Sequence, residues 1–359
     1  MKLMPLERLR RDLKEADRKI VKLLNERADL SIKIGKLKAE SGLEVYDAAQ
    51  EAIIFECLTK VNEEVLPEKY LKAIFREIIS ASRALQKPMT VAYLGPEATF
   101  SHLAARSYFG SSTTFSPQTT IFHVFEEVER GKVQWGVVPV ENSLEGSINL
   151  TLDRLILTPL VIRAEIFLRI SHCLLSPRER MDEVTRVYSI PQVLAQCQSW
   201  LRTNLPHSVL IEAESTAAAA RRVREENDGA AIGSRLAAVT YGLNILSEGI
   251  EDNPSNTTRF LVIGEGESTM TRRDKTSILF GTPHTPGALY DALEPFAKRR
   301  INLMKIESYP VKERLWEYLF FVDFAGHSED KEIKKCMDDL RGRTTFLKIL
   351  GSYPRGEEA

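Results

Sequence analysis

Residues 5 to about 87 contain almost no glycine and no internal proline except Pro67. Within that stretch Leu6, Leu9, Leu13, Ile20, Leu23, Leu24, Leu30, Ile34 and Leu37 recur at helical spacing. The pattern predicts a single helix of about 33 residues, roughly 50 Å long. SGLEVYDAA then breaks it, and shorter helices are predicted over about 50–63 and 69–86. Neither can run beside the first along its whole length. Its apolar edge must therefore be covered from outside the block, and the expectation is an intertwined homodimer or a higher homo-oligomer.

The remaining sequence changes period. After KPMT, short β-like runs (VAYLG, WGVVPV, FLRISHCLL, TRVYSI, SVLIEA, GAAIGS, TRFLVIG) alternate with helical patterns. That predicts an α/β block over 89–266 with a largely parallel sheet, whose ligands would sit at the carboxyl ends of strands near ENS, EST and NTT. From about residue 274 to 354 the order βαββαβ predicts an α+β, ferredoxin-like module. At 359 residues the chain suits two or three domains, here a first all-α block over 1–88 and the two that follow.

Composition excludes several classes. The 49 basic and 50 acidic residues nearly cancel, so neither nucleic acid nor an anionic membrane is an expected partner. No apolar run approaches the roughly 18 residues of a membrane span. The start lacks a signal-peptide core, so a mature cytoplasmic protein is expected. Cys57, Cys173, Cys197 and Cys336 are scattered without CxxC spacing, and the six histidines show no ligand spacing. No metal and no cofactor are expected.

On the long helix Arg27 and Lys38 are eleven residues apart, which leaves them only about 20° apart in azimuth. Arg10 is turned away by roughly 100° and displaced by about 25 Å. It can join them only from a second copy. Ser82 and Gln86 share a face by i, i+4 spacing. LRRDLKEADRKIVKLLNERADLSIKIGKLKAE, VYDAAQE and FREIISASRALQ resemble the all-helical chorismate mutase domain. The resemblance implies a chorismate site of Arg10 (from the partner), Arg27, Lys38, Asp47, Glu51, Ser82 and Gln86, with Lys38, Gln86 and Glu51 closest to the chemistry. That rearrangement to prephenate is pericyclic. It needs a held conformer and donors for charge growing on the ether oxygen, not an acid, base or nucleophile. Gln50 stands where the family commonly has an arginine. An alternative is therefore kept open, in which this block serves mainly for dimerisation and regulation and the chain is a dehydratase alone.

GPEATFSHLAA, VPVENSLEGSI, YSIPQVLAQC, ESTAAAARR, AAIGSRLAAVTYGL and NTTRFLVIG, in that order, resemble the prephenate dehydratase domain. Ile190 replaces the histidine often found before Pro191-Gln192. The resemblance implies a two-lobed, periplasmic-binding-protein-like fold and a reaction in which prephenate loses carbon dioxide and hydroxide to give phenylpyruvate. It assigns Thr258 to the departing oxygen, as a hydrogen-bond donor or proton relay. Arg259 would anchor a carboxylate or brace the loop, and Phe260 would supply apolar wall. Thr99, Asn142, Ser143, Ser215 and Thr216 are candidates for the carboxyl and keto groups, although Ser215 could equally be a helix cap.

GALYDAL and KIESYP resemble the two effector motifs of ACT regulatory domains. The resemblance implies phenylalanine bound near Gly287, Ala288, Leu289, Glu307 and Ser308, lowering activity by population shift. Tyr309 departs from the family's arginine, and a dimerisation cap without a ligand is the alternative. The three resemblances together imply a bifunctional enzyme of phenylalanine biosynthesis. An exported solute receptor would need a signal sequence, and a mutase–dehydrogenase fusion would need a GxGxxG turn. Neither is seen.

Overall fold

The computed structural model describes residues 3–63, 65–271, 273–310 and 318–356. They form two compact units. The first holds three helices, apart from Ala48–Ala52, together with Phe109–Thr114; the second holds the rest.

The helices are α1 (Leu3–Glu40), α2 (Ala48–Val61) and α3 (Glu68–Gln86). Helix α1 runs on past Leu37 until Gly42, whose φ of +66° lets the chain turn. There Leu43 N–H returns to the Lys38 carbonyl and Gly42 N–H to that of Ala39, a glycine-terminated cap of ordinary form. Helix α3 packs on α1. The polar stripe of α1 is the covered one: Ser31 and Gly35 are buried, while Arg27 and Lys38 are half-buried. Leu9, Leu13, Leu23 and Leu37 lie on the uncovered side, each 62–64% exposed.

The second unit begins with β1 (Thr90–Leu94), α4 (Phe100–Phe109), β2 (Thr114–Gln118), α5 (Ile121–Glu129), β3 (Trp135–Asn142), β4 (Gly146–Ser147), α6 (Asn149–Leu157) and β5 (Val161–Arg169). A second lobe follows, of β6 (Cys173–Ser176), β7 (Arg186–Ser189), α7 (Pro191–Gln196), α8 (Gln198–Asn204), β8 (Val209–Glu212), α9 (Thr216–Glu226), β9 (Ala230–Gly233), α10 (Arg235–Tyr241) and β10 (Asn244–Glu248). The chain then returns to the first sheet as β11 (Thr257–Gly264). Strand orders are β2-β1-β3-β11-β5, with β4 beside β3, and β10-β6-β9-β7-β8.

These sheets are mixed, which corrects the expectation of a largely parallel one. Strand β1 is parallel to β3, and β7 is parallel to both β8 and β9. Strand β11 is antiparallel to β3 and β5, and β6 is antiparallel to β9 and β10. A strand that comes back from another lobe slots between its neighbours from the opposite end. Strand-by-strand patterning carries no record of that return.

The last module is β12 (Asp274–Gly281), α11 (Ala288–Lys298), β13 (Leu303–Pro310), β14 (Tyr318–Ala325), α12 (Lys331–Arg341) and β15 (Phe346–Pro354), an antiparallel sheet ordered β13-β14-β12-β15. Residues 315–317 of the strand expected at LWEYLFFVDFAG lie outside the described residues. Phe280, Phe296, Phe324, Met337 and Leu340 form the core under its helices. Its other face is not free. Leu279, Phe321, Leu350 and Tyr353 share one core with Val138, Val140, Leu261 and Ile263 of the first sheet.

The approach there is closest at Gly351 (φ +152°), where a Cβ would lie 2.2 Å from the Ile162 carbonyl oxygen. That contact is backbone against backbone, so no side-chain shift relieves it. Gly351→Ala is expected to destabilise the second unit by about 2–4 kcal/mol, lowering its melting temperature by on the order of 10 °C. An unchanged calorimetric midpoint would show that the two sheets can part there at no cost.

No described helix is long and apolar enough to cross a membrane. Among the described residues no cluster of three or more His, Cys, Asp or Glu could hold a metal.

Candidate functional site

The ends of β3 and β11 meet at Asn142 and Thr258, which pair across the ladder. Asn142 Nδ2 donates to Thr258 Oγ1 at 2.8 Å and to Asn256 Oδ1 at 2.8 Å. Its Oδ1 accepts from the backbone N–H of Leu144 (2.9 Å) and Glu145 (3.3 Å). Those backbone donors fix which way the amide points, so Thr258 Oγ1 is an acceptor toward Asn142 and its own proton is left to donate elsewhere. Ser143 ties the same two segments: its N–H donates to the Thr257 carbonyl (2.9 Å), and its Oγ accepts from Thr257 N–H (3.0 Å).

The chain of bonds continues into the second lobe through residues that sequence reading did not single out. Asn256 Nδ2 donates to Gln196 Oε1 (3.3 Å), which also faces His172 Nε2 at 3.1 Å. Gln196 and Gln192, both on α7, donate to the Glu145 carboxylate of the β3–β4 turn. His172 is buried against the edge of Phe100. Burial lowers its pKa, although Gln196 and Glu251 pull the other way. The ring is therefore neutral, and facing an amide oxygen it carries its proton on Nε2.

The other expected prephenate residues sit close to these segments or cap helices. Thr99 Oγ1 donates to the Leu94 carbonyl (3.0 Å) and accepts from His102 N–H, which fastens the turn before α4. Ala98 beside it has φ +68°, and its carbonyl accepts from Ser234 Oγ of the second lobe at 2.9 Å. Ser215 is the N-cap of α9, accepting from Ala218 N–H at 3.0 Å, and Thr216 is buried behind it. Phe260 is buried. Arg259 does not face the same side as Thr258. Its guanidinium lies 2.9 Å from Glu165 and 2.6 Å from Asp323, and Nη2 donates to Tyr353 Oη at 3.0 Å. Its guanidinium is thus committed to carboxylates of β5 and β14 and to a hydroxyl of β15.

In the first unit Arg27 Nη1 donates to Ser82 Oγ across α1 and α3. Partial burial lowers the Arg27 pKa. Lys38 Nζ donates to the Val45 carbonyl at 2.9 Å. Gln86 packs on Gly35, where any Cβ would meet its side chain at 2.8 Å, and Gln86 Oε1 is buried with no hydrogen-bond partner among the described residues. Arg10 is exposed and Asp47 is half-buried; Glu51, in the first turn of α2, is half-buried too and belongs to the second unit. Sequence reading missed Arg83, whose guanidinium is buried, donates to the Phe109 carbonyl and lies over the rings of Tyr46 and Phe109.

Family profiles match the chain in order: chorismate mutase type II over residues 9–87, prephenate dehydratase over 91–268 and the ACT domain over 276–342. A bifunctional chorismate mutase/prephenate dehydratase from Aquifex aeolicus is 47% identical over 354 residues, covering 98% of each chain. The chain belongs to the bifunctional chorismate mutase/prephenate dehydratase family. Among solved structures, a prephenate dehydratase from Arthrobacter aurescens in complex with L-Phe superposes with a TM-score of 0.69 at 33% identity, covering 74% of this chain and 90% of that one. GqqA, described as a novel type of quorum quenching acylase, superposes at 0.68 with 30% identity, covering 74% and 98%.

In this family member the expected effector residues fall into two groups. Gly287, at φ +85°, opens α11 ahead of Ala288 and Leu289. On β13, Glu307 accepts from Ser147 Oγ and lies 3.0 Å from Lys305, while Ser308 points to the exposed side. Tyr309, at the position of the family's arginine, is buried and hydrogen-bonds Asp153 on α6.

Proposed function

We propose that the chain rearranges chorismate to prephenate in its first unit and converts prephenate to phenylpyruvate in its second, under feedback by phenylalanine at the C-terminal module, in the cytoplasm. The Asn142–Thr258 pair carries the dehydratase reading. A hydroxyl whose lone pair is occupied by a backbone-anchored amide has its proton free for an oxygen that must leave as hydroxide. Arg27, Ser82, Lys38 and Gln86 on the α1–α3 face carry the mutase reading, as donors for a dicarboxylate. The C-terminal module, with its strand order, is read as ferredoxin-like. Feedback is supported by the ACT match and by the L-Phe complex of the relative. The decisive assay adds chorismate to purified protein and follows prephenate and phenylpyruvate, with and without phenylalanine. Turnover of prephenate but not chorismate would leave a dehydratase alone.

The mutase reading requires a second copy of the chain. Burying a leucine fully contributes about 1.5–3 kcal/mol, and the α1 stripe leaves Leu9, Leu13, Leu23 and Leu37 mostly in water. Their spacing continues the whole length of α1, which suits another α1 laid along it. Sedimentation equilibrium is expected to give a dimer or a multiple of it, and Leu23→Glu is expected to lower that mass and melt the first unit. A monomeric wild-type protein would remove Arg10 from the site.

A further inference from the structure

We propose that Asp323, a residue of the regulatory sheet, is a positioning residue for the dehydratase reaction, acting on Thr258 through Arg259. The inference rests on the proposed role of Thr258 and deepens it. Thr258 and Arg259 are consecutive on β11, so their side chains leave opposite faces of the sheet. Thr258 turns to Asn142. Arg259 turns to the last module, into a closed ring of contacts. Its Nη2 donates to Tyr353 Oη, Tyr353 Oη and Ser277 Oγ lie 2.5 Å apart, Ser277 Oγ donates to Asp323 Oδ1 at 2.5 Å, and Asp323 Oδ2 comes back to Arg259 Nη1 at 2.6 Å. Since the Ser277 proton goes to Asp323, the Tyr353 proton goes to Ser277.

Every member is buried: Arg259 is 5% exposed, Asp323 1% and Tyr353 0%. On the dehydratase side Glu165 closes the cluster, 2.9 Å from Arg259 Nε and bonded to Lys275 Nζ at 2.8 Å. Burial alone would lower the Arg259 pKa, but Tyr353, Asp323 and Glu165 more than reverse that and raise it. The guanidinium is a permanent cation. Buried ion pairs are a poor source of net stability, because desolvation offsets most of the attraction. What such a ring supplies is position: one hydrogen bond, to Tyr353, and close ion pairs to Glu165 and Asp323 on either side confine the guanidinium to one place. Position matters at this point in the strand. The β11–β5 ladder is unbroken from Thr257 to Val262, but the β11–β3 register, on the side that carries Asn142, is irregular between Arg259 and Phe260, so a side-chain anchor at Arg259 adds to what that edge supplies.

The test is a double-mutant cycle in the full-length chain. Asp323→Asn keeps the shape and removes the charge. It is expected to lower kcat for phenylpyruvate formation at least about ten-fold with KM changed less than about two-fold, and to leave chorismate turnover as it was. Combined with Thr258→Ala it should bring little further loss, because its effect passes through that hydroxyl. Additive losses, or wild-type kcat in Asp323→Asn, would overturn the inference. If Asp323→Asn does not fold, Tyr353→Phe takes its place in the cycle: a kcat loss that vanishes in the Thr258→Ala background supports the ring, and an additive loss or wild-type kcat overturns it. Thr258→Ala on its own separates the layers: if it has no effect, the proposed role of Thr258 falls, whereas a slow Thr258→Ala beside a normal Asp323→Asn removes only the ring.

Discussion

Thr258→Ala is expected to slow phenylpyruvate formation by about 10²–10³-fold, the usual loss for one well-placed donor to developing negative charge. Alanine keeps only the Cβ, but the two atoms lost are few and sit at the end of β11, where Thr258 is 8% exposed, so the fold should be preserved. Asn142 would lose an acceptor but keep Asn256, so the rest of the network should stand. Thr258→Ser, which restores the hydroxyl, is expected to recover a large part of the rate. Stopped assays of phenylpyruvate from prephenate decide it. Turnover within two-fold of wild type in the alanine variant would take the hydroxyl out of the reaction, and chorismate consumption in the same sample serves as the control.

Lys38→Ala is expected to lower chorismate turnover by a similar 10²–10³-fold while leaving prephenate turnover intact. The lysine now holds the Val45 carbonyl, a bond it can exchange for a ligand oxygen without moving its own helix. Arg10→Ala is expected to be slow as well, and the pair allows a sharper measurement. If one copy supplies Arg10 to a site whose Lys38 belongs to the other, mixing and re-annealing the two slow proteins creates one intact site in each mixed dimer. A statistical mixture should then regain about a quarter of wild-type turnover. No recovery would place both residues on one copy or exclude Arg10.

Legibility in the sequence followed the range of the interactions. Helices α1 to α3 could be read because each is a local, nearly proline-free periodic pattern, and their ends fell within a few residues of expectation. The site around Asn142 and Thr258 was legible only in part. Asn142, Ser143 and Thr258 sit in recognisable strings, whereas Asn256, Gln196 and His172 acquire meaning only through bonds that span 24 to 114 positions. Gln196 lies inside the family-like string YSIPQVLAQC, yet nothing local distinguishes it from Gln192 or Gln198. Arg259 is different, because its direction was available. In an alternating strand, a Thr258 that faces Asn142 sends Arg259 to the other side, and period two applied to TTRFLVIG would have said so. What it faces there, a carboxylate 64 residues later in the chain, could not be read.

The packing at Gly351 bears on how the chain can be cut. The run from Glu267 to Arg273 looks like a hinge between a catalyst and a detachable sensor, an inviting place to truncate for an enzyme freed from feedback. Yet β15 lies against β5 so closely that a single methyl group cannot be admitted. Severing the chain there would strip one wall from the catalytic sheet and leave Arg259 and Glu165 facing water in place of their counterparts. The seam visible in the sequence is not a seam in the energy: a cut there would expose a face that the two sheets bury together.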